Sequence, residues 1–170
     1  MIRPAPLVAL LLALGACAPL PPLERGLALL EAGRAFEAAA AFDEAVREAP
    51  DSAAAYTNRG VARVRLGDVA GALDDFTRAL DLAPADAEIY VDRGNARVLA
   101  GQLGPAIEDF SRAAALRPGF PAALLNRGLA RGRAGDRQGA LADLEAARAA
   151  EADPGRRAAI EALIRRLRGG

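Results

Sequence analysis

Apolar and small positions along this chain recur at a fixed interval. Large apolar residues stand at Phe42, Phe76, Phe110 and Leu144, each 34 residues after the last. Small residues keep the same step at Ala38, Ala72, Ala106 and Ala140, and again at Ala45, Ala79, Ala113 and Ala147. Two glycine columns run in register with them: Gly26, Gly60, Gly94 and Gly128, then Gly33, Gly67, Gly101 and Gly135. Proline closes three copies at Pro50, Pro84 and Pro118, and Ala152 breaks that series. A period of this size marks one supersecondary unit stacked on copies of itself, none able to bury its apolar face alone. The chain reads as an array of about four copies.

Each copy predicts two helices. In the second copy the first helix runs from Ala53 to Leu66, Gly67-Asp68 interrupts, and the second runs from Val69 to Leu82 before Pro84. Glycine ends a helix at left-handed φ and aspartate caps the next, so Gly-Asp is a turn signal. Proline cannot donate a backbone N–H, so it stops the second helix and resets the chain. Gly60 and Ala72 lack bulk at nearly equal distances from the turn, and two helices approach to about 8 Å only where side chains are small. Phe76 is expected to fill the space between neighbouring pairs. Beyond the last copy, Asp153-Pro154-Gly155 reads as an N-cap followed by proline in the first turn. Ile160, Leu163, Ile164 and Leu167 then share one helical face, with Arg165, Arg166 and Arg168 elsewhere. That is the pattern of a helix covering the last apolar face of an array. A basic amphipathic helix lying on a membrane is the alternative, against which Glu161 and the short length both count.

The combination of Gly60 and Ala72 for a helix crossing, Leu66-Gly67 at the turn, Phe76 and the closing Pro84 resembles the tetratricopeptide repeat. The resemblance extends over residues 19–154. It implies an all-α fold, a right-handed superhelical α-solenoid of about four helix-turn-helix repeats. Those repeats would occupy 19–52, 53–86, 87–120 and 121–154, followed by a capping helix and tail at 155–170. Two family columns depart. The aromatic early in the first helix is Pro22, Tyr56, Tyr90 and Leu124 here, and a later tyrosine is replaced by Leu29, Arg63, Arg97 and Arg131. The three arginines are expected to lay their stems on apolar surface and keep their heads in water.

The resemblance also implies that the first helices line a concave groove that takes an extended peptide or an amphipathic helix of a partner. The residues expected to line it are Thr57, Asn58, Val61 and Arg65, then Val91, Asn95 and Val98, then Leu125, Leu129 and Arg133. They would form a mostly apolar trough with few polar points. Some family members clamp a C-terminal carboxylate with lysine, arginine and asparagine. Asn58 and Asn126 match the central asparagine of that clamp, but the flanking basic residues do not follow, and Glu88 and Asp92 carry the opposite charge. Carboxylate clamping is not expected.

The start of the chain is a different object. Arg3 precedes an apolar run from Ala5 to Leu14, broken only by Pro6 and far short of the about 20 residues that span a bilayer core. The run fits the apolar region of a secretory signal. Leu14-Gly15-Ala16-Cys17 follows and resembles a bacterial lipobox, which implies that residues 1–16 are removed and Cys17 becomes a lipidated N-terminus. Residues 17–22 would then be a short proline-rich tether. Ordinary cleavage after Ala18 would leave Pro19 next to the cut, and a buried structural cysteine would need a core that does not exist before the first repeat. Cys17 is the only cysteine, so it has no disulfide partner in its own chain. Ala18 is not the aspartate that retains such proteins in an inner membrane, so the resemblance points to the periplasmic face of the outer membrane.

Composition narrows the function classes. Aromatics are 4% of residues, and histidine, tryptophan and lysine are absent. The 22 positive side chains balance 22 negative ones, and loss of Arg3 with a leader would leave a net charge near −1. That balance does not fit nucleic acid as a partner, which calls for a basic stripe. Without histidine or a second cysteine, the usual general bases, thiol dyads and zinc ligand sets are missing, and no metal or cofactor is expected. Carboxylates recur with the period, as at Asp75, Asp109 and Asp143, which marks architecture rather than a catalytic pair.

One recurring charge pattern makes a structural claim. Arg59 and Asp75 flank Gly67 at equal distances, as Arg93 and Asp109 flank Gly101 and Arg127 and Asp143 flank Gly135. Residues equidistant from a turn lie level in an antiparallel hairpin, so these are expected to pair, contributing about 0–1 kcal/mol each if exposed. The first hairpin lacks the pair, because Arg25 meets Ala41. The functional expectation is a non-enzymatic, lipid-anchored scaffold that binds a protein or peptide. The alternative is an architectural protein that self-associates through open solenoid ends.

Overall fold

The computed structural model describes residues 20–169. Nine α-helices follow one another, with no strand among the described residues: α1 (Pro22–Glu31), α2 (Ala35–Glu48), α3 (Ala53–Arg65), α4 (Val69–Leu82), α5 (Ala87–Leu99), α6 (Leu103–Leu116), α7 (Pro121–Arg133), α8 (Arg137–Ala150) and α9 (Pro154–Gly169). The leader and residues 17–19 of the tether, Cys17 among them, lie outside the described residues. No helix among the described residues is long and apolar enough to cross a membrane.

The first eight helices form four hairpins, and each second helix packs on the first helix of the next hairpin. First helices of successive hairpins also touch, α1 with α3, α3 with α5 and α5 with α7, whereas second helices stand apart. A stack whose first helices crowd while its second helices spread must curve, with the first helices inside. The fold is an all-α solenoid of helix-turn-helix repeats, as the resemblance implies.

Local chemistry accounts for the hairpins. Gly33, Gly67, Gly101 and Gly135 take φ of 75°, 82°, 75° and 88°, the left-handed region that closes a helix and favours glycine. Asp68 and Asp136 then cap α4 and α8 by accepting from the backbone N–H of Gly71 and Gly139. Arg34 and Gln102 hold the equivalent places in the other hairpins without a side-chain cap. Inside the hairpin, a Cβ added at Gly26, Gly60 or Gly94 would stand 2.3, 2.8 or 2.5 Å from the ring of Phe42, Phe76 or Phe110. In the fourth hairpin Leu144 replaces the ring and the same Cβ at Gly128 would lie 3.1 Å from it.

The core is layered, one layer at each junction between units. Phe42 packs with Ala62 of the next hairpin, Phe76 with Ile89 and Ala96, Phe110 with Ala123 and Ala130, and Leu144 with Ile160 and Ile164 of α9. Each Phe thus rests on the glycine of its own hairpin and also fills the gap to the next. α9 covers the last layer with Ile160 and Ile164 buried and Leu163 and Leu167 half-buried, while Arg165, Arg166 and Arg168 face solvent. Asp153 caps it through the N–H of Arg156 at 2.7 Å, and Arg148 of α8 meets Glu161.

Candidate functional site

The paired charges set how the first helices sit against the second. Asp75 is 2% exposed and accepts from Arg59 at 2.6 and 3.0 Å. Asp109 accepts from Arg93 at 2.8 and 3.1 Å, and Asp143 from Arg127 at 2.6 and 2.9 Å. All three expected pairs form, but they are buried rather than exposed, so the weak energetics of surface pairs do not apply.

A second arginine joins each buried carboxylate. Arg63, Arg97 and Arg131 reach Asp75, Asp109 and Asp143 at 2.8, 2.8 and 2.7 Å. Their heads are therefore engaged on a buried acid instead of resting in water, a correction to the sequence reading. The acid at the base of the hairpin supplies an anion within reach of the place where the family carries tyrosine. Arg25, with no aspartate opposite, turns to Glu44.

The same arginines stitch neighbouring hairpins. Arg59 also reaches Asp43 at 2.9 Å, Arg93 reaches Thr77 at 3.4 Å, and Arg127 reaches Ser111 at 3.2 Å. Glu145, the next residue in that column, is met by Arg168 of the capping helix. Tyr56 and Tyr90 lie under the guanidinium groups of Arg59 and Arg93, at 5.4 and 5.7 Å from ring centroid to charge. This column of polar acceptors was legible in the 34-residue step, but only the fold shows which arginine reaches it.

On the inner face, the expected groove residues divide. Thr57 and Asn58 are half-buried and donate to backbone carbonyls of their own helix, Ala53 and Ala54. Val61 is half-buried between two core layers. Arg65 is exposed along its stem while its guanidinium donates to the Leu30 carbonyl of α1 at 2.8 Å. Asn95 is exposed and accepts from the Asn126 amide at 2.9 Å, linking α5 to α7 across the groove. Leu125 is half-buried against the last core layer, and Leu129 and Arg133 are exposed.

Of the two expected valines of α5, one is corrected and the other is half-buried, as Val61 and Leu125 are. Val91 is buried in the third core layer, and Val98 packs against the same layer. The apolar pattern of α5 pointed the wrong way by about one residue, because valine is at home on either face of a helix that touches a neighbour on both sides. The stripe that does face the groove is Glu88, Asp92, Asn95 and Leu99, at the three- and four-residue spacing of one helical face. Leu99 is 62% exposed, and Leu27 and Leu129 are each 40% exposed on the equivalent faces of α1 and α7. Leu27 and Leu99 were missed by sequence reasoning, although both fall in register with residues it did choose.

Asp92 is the perturbed group of this face. Burial raises its pKa first, and the carboxylates of Glu88 and Asp86 add to it, pushing it up to about 6. Glu88 is itself met by Arg117 at 3.1 Å. No cluster of three metal-ligating side chains occurs among the described residues.

Residues 23–87 match the family model described as tetratricopeptide repeat. No curated protein matches the sequence. Among solved structures the chain is similar to MamA, at 26% identity and a TM-score of 0.73 over 76% of this chain and 75% of that one. It is equally similar to TTC0263, a thermophilic tetratricopeptide-repeat protein of Thermus thermophilus, at 26% identity and a TM-score of 0.71 over 86% of this chain and 79% of the other. The second such domain of human RPAP3, solved with an HSP70 peptide, shares the fold at 23% identity and a TM-score of 0.63 over 65% and 92% of the two chains. The class is therefore a solenoid of tetratricopeptide repeats, closed at one end by its own ninth helix.

Proposed function

We propose that this protein is a non-catalytic scaffold that holds a segment of a partner protein along its concave face. The observation that carries the reading is the exposure of Leu27, Leu99 and Leu129 on the inner helices α1, α5 and α7 of a curved stack, where Phe36 and Leu66 are exposed elsewhere as single residues. Exposed apolar residues gathered on a concave surface mark a binding surface more often than isolated ones do. Anchoring in a bacterial cell envelope through a lipid on Cys17 belongs to the same proposal, with the outer membrane as destination. Its support is the apolar run before Cys17, the Leu14-Gly15-Ala16-Cys17 pattern and the start of α1 at Pro22, which leaves only a short tether.

The groove test uses Leu99→Glu and Leu129→Glu, because Val61 is shared with two core layers and would confound folding with binding. Each substitution sets a carboxylate against apolar ligand surface, a loss of about 2–4 kcal/mol that removes a micromolar interaction. Both variants should keep full helicity by circular dichroism and lose the partner that the full chain retains in a pull-down read by mass spectrometry. Retention of the same partner by both variants would overturn the groove. Self-association is read in parallel by light scattering: a concentration-dependent oligomer that retains no other protein would favour the architectural alternative.

A further inference from the structure

The inner face carries several carboxylates, and the central one, Asp92, has no counter-ion among the described residues. The face that carries Leu27, Leu99 and Leu129 also presents Glu24, Glu31, Glu88 and Asp92. Arg117 meets Glu88, and on the inner helices Arg65 and Arg133 are the opposing cations, the Arg65 guanidinium already donating to the Leu30 carbonyl. Asp92 sits at the middle of the stack, one period from Asn58 on α3 and from Asn126 on α7. Neither amide serves it, since Asn58 donates to Ala54 and Asn126 donates to Asn95. The charged groups acting on it are Glu88 and Asp86, both of its own sign. The buried acids Asp75, Asp109 and Asp143 are each paired with arginine, so an unmatched acid here stands out against the chain's own habit.

We infer that the occupant of the groove is an apolar peptide segment that presents a lysine or arginine to Asp92. The inference rests on the groove reading above and adds to it the chemistry of the partner. Leu99 lies seven residues after Asp92 on the same helix and Leu129 is on the adjoining α7, so a cation at Asp92 would have apolar side chains beside it, with Leu27 two hairpins away on α1. A charge-assisted hydrogen bond to a half-buried carboxylate is among the stronger polar contacts, and it also offsets the repulsion that Glu88 and Asp86 impose. A free carboxylate terminus, by contrast, would meet four acids.

A randomised dodecapeptide display library, panned in parallel against the full chain, Asp92→Asn and the Leu99→Glu/Leu129→Glu double variant, tests this. Selections on the unaltered chain should be enriched in one lysine or arginine among apolar residues, and Asp92→Asn should keep the apolar pattern but lose the basic residue. The best selected peptide, remade with that residue as glutamine, should bind about tenfold more weakly to the unaltered chain by calorimetry and equally to Asp92→Asn. Apolar enrichment without a basic residue, or with an acidic one, overturns the inference and leaves the groove reading standing. Peptides that bind the double leucine variant as well as the unaltered chain overturn the groove reading and the inference together.

Discussion

At the residue scale, Asp109 shows how a repeated charge becomes a buried joint. It is 3% exposed and receives two guanidinium groups, Arg93 from the second turn of α5 and Arg97 one turn later. Two ions taken from water are offset only by close, well-aligned partners, so removing the acid leaves two unmatched cations. Asp109→Ala should lose about 3–5 kcal/mol in urea unfolding, while the exposed neighbour Glu108→Ala should change stability by less than about 0.5 kcal/mol.

Asp92 behaves in the opposite sense. Its folded pKa of about 6 lies above the ordinary 3.8, so the fold disfavours its charged form. The stability it contributes is fully present below pH 3.8 and is lost as pH rises through about 6. Asp92→Asn should therefore be more stable than the unaltered chain at pH 7.5, by about 1–3 kcal/mol, and no more stable near pH 3.5. Chemical unfolding at the two pH values measures the difference, and equal stability at pH 7.5 would remove the unmatched acid from the account. The Arg59–Asp75 pairing was legible in sequence because residues equidistant from a turn lie level. Its burial and the second arginine were not, because charge patterning carries no information about depth.

At the element scale, the two glycine columns do different work. Gly67 holds φ of 82° with nothing near its Cβ position, so Gly67→Ala should cost about 1 kcal/mol through backbone strain alone. Gly60 has helical geometry, but a Cβ added there would stand 2.8 Å from the Phe76 ring, so Gly60→Ala should cost about 1–3 kcal/mol by overpacking. The fourth hairpin already shows the remedy, with Leu144 in place of the ring. Gly60→Ala should accordingly be less harmful in a Phe76→Leu background, whereas Gly67→Ala should be additive with it. A double-mutant cycle on thermal unfolding separates the two cases. Helix existence and the turn positions followed from period, glycine and proline. The inward face of α5 did not follow, because Val91 and Val98 serve a core layer that lies between hairpins rather than within one.

At the scale of the whole molecule, stability is a chain of nearest-neighbour layers, ended on one side by α9. Arg168 of α9 takes the part that Arg59 and Arg93 play between hairpins, meeting the residue in the same column of the preceding helix. The other end leads into the tether. A lipid on Cys17 would hold α1 within about 17 Å of a membrane surface, the reach of about five extended residues. Cys17→Ser should leave an uncleaved precursor that takes up no labelled fatty acid, with the helicity of the unaltered chain. A variant still processed and still partitioning into detergent would move the anchor elsewhere.

Sequence by itself determined the unit, its length, its turns and the level at which Arg59 meets Asp75, because each is set within one hairpin by chain distance from a single turn. Tertiary structure decided what happens between hairpins. The curvature, the layers that claim Val91 and Val98, the reach of Arg59 to Asp43 and the exposure of Leu99 all depend on how one hairpin is rotated on the next. That rotation is fixed by side-chain packing at the junctions, to which residues distant in sequence contribute together, and no period in the chain encodes it.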